Sequence, residues 1–99
     1  MATERANDEE KRLHAIVHGR VQGVGFRYST REVAQNRGLA GYVKNRADGT
    51  VEVVVEGPEG LLQEMLAWLE RGPSLARVDR VETQWQRPTH KHDRFEVRF

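Results

Sequence analysis

Gly19-Arg20-Val21-Gln22-Gly23-Val24-Gly25-Phe26-Arg27 is the stretch of this chain best equipped to hold an anion. Its glycines tolerate left-handed backbone, so successive N–H groups can turn into one concavity as the chain approaches a helix N-terminus. Arg27 adds a planar, permanently charged fork in the first turn of that helix, a shape suited to bidentate contact with phosphate or carboxylate. A dianionic phosphate needs several donors. The amides of Arg20, Val21, Gln22, Gly23 and Val24, with the Arg27 guanidinium, are placed to supply them. A glycine-rich loop alone is a weak sign, because the same spacing occurs in ordinary turns.

A second stretch strengthens it. Gly41-Tyr42-Val43-Lys44-Asn45-Arg46-Ala47-Asp48-Gly49-Thr50-Val51 reads as a strand, a tight turn and a second strand, which Gly57 closes. Asn45 stands just before the turn, where an asparagine side chain ordinarily caps the turn. An amide also grips a water molecule by donor and acceptor together, and the residues alone leave both roles open.

Together the two stretches resemble the acylphosphatase family. Its loop pattern G-x-V-Q-G-V-x-F-R is met from Gly19 to Arg27, and its pattern G-aromatic-V-K-N-x-x-x-G-x-V with a following glycine is met from Gly41 to Gly57. The likeness extends over about residues 13 to 99. It implies hydrolysis of the carboxyl-phosphate anhydride of small acyl phosphates, with no metal and no organic cofactor. It makes Arg20, Val21, Gln22, Gly23, Val24 and Arg27 the phosphate-binding residues, Arg27 also catalytic, and Asn45 the residue that orients the attacking water. A monomeric enzyme of the cytoplasm is expected.

Other candidates have simpler readings. Arg20 occupies a variable position of the loop pattern, and its side chain reads as solvated. The patterns require no histidine at His18, which reads as a strand residue. His90 and His92 lack a third placed ligand, so Pro88 to Asp93 reads as a solvated loop and not as a metal site. Trp68 and Trp85 read as packing residues, and Lys44 as a source of local positive potential.

The elements that must position these residues follow from periodicity. Leu13 to His18 suits a strand at least partly buried on both faces. From Phe26 to Arg37 apolar positions recur at helical spacing, with Gly38 where a left-handed C′ residue is wanted. Residues 39–45 and 50–56 form two extended runs around a turn in which Gly49 supplies positive φ. Gly57-Pro58 opens a second helix with the stripe Leu61, Leu62, Met65, Leu66 and Leu69, and Gly72-Pro73 stops it. Val81 to Gln86 reads as a strand, and Phe95, Val97 and Phe99 mark a short last one. The order βαββαβ plus a terminal strand predicts an α+β, ferredoxin-like sandwich, an antiparallel sheet with both helices on one face. The first strand and the strand ending at Asn45 can be neighbours there, which would bring Asn45 beside the loop. Many unrelated activities share this fold.

Composition bounds the rest. Ninety-nine residues, 37% hydrophobic and 31% charged, make one domain with a single core and a polar surface. Sixteen basic and fifteen acidic side chains leave a net charge of +1, too balanced for a general nucleic-acid or membrane binder. With no cysteine, there is neither a disulfide nor a thiolate nucleophile. Met1 to Arg12 is of mixed charge, unlike a secretory signal, and is expected to be a disordered tail ahead of a domain at 13–99. Two other readings compete. A phosphate-binding module without catalysis is opposed by the chain length and by the presence of both Arg27 and Asn45. An RNA-binding ferredoxin-like domain needs stacking aromatics on its central strands, and Thr50 to Glu56 has none.

Overall fold

The first strand sets the orientation of the sheet, because its fully buried residues fall on alternate positions. Leu13, Ala15 and Val17 are fully buried, while on the opposite face His14 and His18 are half-buried and Ile16 is buried at 8% exposure. Successive side chains of a strand point to opposite faces, so one face of this strand belongs to the core. The computed structural model describes residues 8–99. It contains β1 (Glu10–Arg20), α1 (Phe26–Asn36), β2 (Ala40–Asn45), β3 (Val51–Pro58), α2 (Glu59–Leu69), β4 (Arg77–Gln86) and β5 (Phe95–Arg98).

The five strands lie in the order β4-β1-β3-β2-β5. All pairings are antiparallel except β2 with β5, which is parallel. The sheet is therefore mixed, with the short last strand as its parallel edge. Both helices cover one face. Phe26, Thr30 and Ala34 of α1 and Leu62, Met65 and Leu69 of α2 are buried with the core side chains of β1, Val43, Val51, Val53, Val55 and Phe95. Each such large apolar side chain stabilises the fold by about 1.5–3 kcal/mol. Phe26 at the start of α1 packs on Trp68 of α2 with ring centroids 5.6 Å apart, so the two helices meet directly behind the glycine loop.

Three sequence expectations need correction. β1 and β2 are not neighbours, because β3 lies between them. β1 starts at Glu10, inside the segment expected as a tail. Its first residues are tied down by ion pairs, Lys11 Nζ to Glu59 Oε1 at 3.1 Å and Arg12 Nη1 to Glu56 Oε2 at 2.8 Å, and by the Glu59 N–H donating to Glu9 O at 2.9 Å. Residues 1–7 of the expected tail lie outside the described residues. Finally, the connection from β4 to β5 is not simply solvated. Among the described residues, no helix is long and apolar enough to cross a membrane.

That connection is held by Glu56, a buried carboxylate on the face of the sheet away from the helices. Its Oε2 accepts from Arg12 Nη1, from the Thr89 N–H at 3.0 Å and from the Thr89 hydroxyl at 2.8 Å, and its Oε1 accepts from the His90 N–H at 3.0 Å. The anchored loop then lays His92 against Tyr42, ring centroids 6.0 Å apart, over the same face. Burial alone would push the Glu56 carboxyl up. The Thr89 amide, Arg12, the Thr89 hydroxyl and the His90 amide outweigh it and hold the pKa down at about 2.

A folded-state pKa below the unfolded value favours folding at neutral pH and is lost on acidification. Glu56 should therefore contribute on the order of 3 kcal/mol above about pH 5, lost progressively as pH falls to about 2. Denaturant unfolding followed against pH should show Glu56→Gln less stable at neutral pH, with the gap to the parent closing on acidification. An unchanged gap from pH 7 to 2 would rule Glu56 out as the acid-labile anchor.

Candidate active site

At the C-terminal end of β1 the backbone is forced out of regular pairing. The register with β4 shifts between His18 and Gly19, and Gly19 takes φ 134°. A Cβ there would run into the Arg77 carbonyl and sit 2.8 Å from the Asp79 nitrogen, so only glycine fits. The chain then turns through Val21, whose side chain is anchored in the core, and reaches Gly25, which occupies the N-cap of α1 in left-handed conformation at φ 77°. Gly25 has no side chain to cap the helix with, which leaves that terminus for another acceptor. Among the described residues, the N–H groups of Val21, Gln22, Gly23 and Val24 donate no turn or loop hydrogen bond.

The hairpin turn between β2 and β3 lies at the same end of the sheet. Val17 of β1 and Asn45 of β2 are both paired with Val51 of β3, from opposite sides. That shared partner places Asn45 level with the end of β1 although the strands do not touch. The Gln22 side chain closes the gap. Its Nε2 donates to Arg46 O at 2.8 Å and to Thr50 O at 2.9 Å, the two ends of the turn. Asp48 caps the turn from inside, its Oδ1 accepting from the Thr50 hydroxyl at 2.6 Å and the Thr50 N–H at 3.0 Å. Those two bonds from Thr50 hold the Asp48 carboxyl below its ordinary pKa, aided by nearby Arg46 and His18.

The turn-capping work that sequence left open for Asn45 is thus done by Asp48 and Gln22. Asn45 is free of it. Its Oδ1 is buried and has no hydrogen-bond partner among the described residues, an arrangement that costs stability unless something else meets the oxygen. Asn45 lines a pocket of about 80 Å³ with Val21, Gly23, Gly25, Phe26, Arg27 and Tyr28. Among the described residues Arg27 makes no ion pair or side-chain hydrogen bond; its guanidinium carbon lies 4.8 Å from the Phe99 ring centroid and 5.9 Å from that of Tyr28. The pocket therefore combines a charge without a counter-ion, unpartnered amides and one orphaned amide oxygen. A small tetrahedral anion and a water molecule together match that donor and acceptor set.

Not every residue expected at the site lines it. The Arg20 side chain is exposed at the end of β1, Gln22 bonds to the hairpin turn, and Val24 packs on the core. The exposed Tyr28 and Phe99, which flank Arg27, escaped sequence reasoning. Tyr28 directly follows Arg27, but Phe99 reaches it only through the parallel addition of β5. His18 Nε2 lies 3.2 Å from Glu82 Oε1 without hydrogen-bond alignment and does not line the pocket.

Comparison with known proteins places the chain in a family and agrees with the fold. The acylphosphatase family model matches residues 13–97. An acylphosphatase of a Roseiflexus species is 44% identical over 86 residues, 87% of this chain and 92% of its own length. That of Pseudomonas paraeruginosa is 57% identical over 72 residues, 73% of this chain and 79% of its own. The crystal structure of acylphosphatase from Bacillus subtilis superposes with a TM-score of 0.87 at 42% identity, covering 90% of this chain and 99% of that one.

The Gln22 bridge can be tested by itself. Gln22→Ala removes two hydrogen bonds, but Thr50 O still accepts from the Arg46 N–H. The loss of stability should be about 1–2 kcal/mol, with faster amide exchange confined to residues 46–50. An unchanged unfolding midpoint and unchanged exchange would show that the loop and the hairpin are held together by other contacts.

Proposed function

The chain belongs to the acylphosphatase family and is an acylphosphatase, and from that premise we propose how its own residues carry the reaction. Arg27 and the amides of the Gly19–Arg27 loop hold the phosphoryl oxygens, and Asn45 presents the attacking water. The observation that carries this reading is the pairing, in one pocket, of an Arg27 without a counter-ion and an Asn45 Oδ1 without a partner.

The water oxygen bonds to phosphorus as the bond between phosphorus and the acyl oxygen breaks. The electron pair leaves with the carboxylate, and the water's proton passes to a phosphoryl oxygen, so the products are a carboxylate and inorganic phosphate. A carboxylate is a good leaving group and needs little acid catalysis. Among the described residues no histidine, aspartate or glutamate lines the pocket, which supports the phosphoryl oxygen as proton acceptor. Catalysis then consists of positioning and of charge stabilisation by preorganised donors. The burial of Asn45 Oδ1 limits competing water partners for that oxygen.

We read the enzyme as metal-independent, because among the described residues no three His, Cys, Asp or Glu side chains are grouped to hold an ion. It acts as a monomer in this reading, the loop, Arg27 and Asn45 of a single chain sufficing to form the pocket. The cytoplasm is the proposed location, a cysteine-free fold needing no oxidising compartment.

Arg27→Lys keeps the charge but not the fork. Hydrolysis of benzoyl phosphate should fall about a hundredfold to a thousandfold in kcat, as when one transition-state donor is lost, with thermal stability unchanged. Activity within a few-fold of the parent would remove Arg27 as the phosphate clamp. The parent's activity should survive exhaustive chelation, and a loss on EDTA that Mg²⁺ or Zn²⁺ reverses would overturn the metal-free mechanism.

A further inference from the structure

A second groove, of about 340 Å³, runs between α1 and β5 beside the phosphate pocket. Tyr28 lines both. Phe99, on which the Arg27 guanidinium rests, lines the groove as well. The two cavities are therefore adjoining parts of one surface, and an acyl group attached to phosphate held at Arg27 can extend into the groove.

The groove has a charge pattern of its own. Arg31 stands four residues after Arg27 on α1, on the same side of the helix, and its guanidinium carbon lies 5.3 Å from the centroid of the Tyr28 ring. Arg94 lines the facing wall. Among the described residues neither arginine has a carboxylate within ion-pair distance, whereas Glu96, the acidic side chain lining the groove, is 3.8 Å from Arg98. The walls are fixed. Gln35 Nε2 donates to Phe95 O at 3.1 Å, tying α1 to β5, and the Gly41 N–H donates to Arg94 O at 3.1 Å. Stacking on Tyr28 also reduces the freedom that Arg31 would lose on binding an anion.

We propose that this groove is the acyl subsite and that it selects acyl phosphates whose acyl part carries a second carboxylate, received by Arg31 and Arg94 while Tyr28 and Phe99 flank the body of the group. The proposal rests on the acylphosphatase reading above and adds a substrate class to it. Arg31 and Arg94 are specificity residues in it and not catalytic ones.

Two isosteric substrates test it, 4-carboxybenzoyl phosphate and 4-carbamoylbenzoyl phosphate, which differ in the charge of the distal group. The parent should show a ratio of kcat/KM, carboxy over carbamoyl, of about ten or more, the scale of one hydrogen-bonded charge contact. Arg31→Ala and Arg94→Ala should each lower that ratio, and the double variant should bring it near one. Arg87→Ala, a charge change outside the groove, should leave it as in the parent. A parent ratio near one, a ratio unmoved by the double variant, or an equal fall with Arg87→Ala would each overturn the subsite. Failure of the parent to hydrolyse either compound would instead count against the acylphosphatase reading beneath it.

Discussion

Val51 is the fixed point on which the site depends. It pairs with Val17 on one side and Asn45 on the other, so the register of two separate strand pairs decides whether the glycine loop and the asparagine lie level. A slip of one residue in either pair would turn Asn45 to the other face or move it one rise along the strand, and the pocket would lose its acceptor. Burial enforces the register: Val51, Val53 and Val55 must all face the helices together with Leu13, Ala15 and Val17. The precision of a small polar site is thus set by apolar packing one layer beneath it. Gln22 completes the alignment from above by bonding to both ends of the turn.

Charge is managed unevenly over the molecule. Arg12, Arg37, Arg46, Arg77, Arg80 and Arg98 each stand beside a carboxylate. Most of these pairs are exposed and contribute little to stability. Arg12 and Glu56 are the exception, since Glu56 is buried and also gathers two backbone amides. Arg27 and Arg31, on one side of α1, are set against aromatic rings instead. An arginine on a ring keeps its hydrogen-bonding edge available, which suits a site whose ligand is an anion.

Much of this was legible in the sequence. The glycine spacing announced the loop, the stripe from Leu61 to Leu69 announced α2, and alternation announced β1 and β3. These are local signals with a fixed period. What local pattern could not reveal was strand order. The separation of β1 from β2 by β3, and the parallel edge β5 that carries Phe99 to Arg27, depend on contacts distant in sequence. The same holds for Glu56, which looks like an outward-facing strand glutamate until Thr89 and His90 are seen to fold over it. Asn45 shows a different limit. Its position before a turn left a capping role and a water-binding role both open, and only the presence of Asp48 and Gln22 on the turn shows the capping role to be filled.

The central claim is that Asn45 serves the reacting water and not the fold. Asn45→Ala should keep the parent's unfolding midpoint and bind inorganic phosphate with nearly the parent's affinity, because Arg27 and the loop amides remain, while turnover of benzoyl phosphate falls by orders of magnitude. Denaturation, phosphate titration and turnover measured on one sample of Asn45→Ala decide the matter. A lowered midpoint with turnover per folded molecule intact would contradict the account.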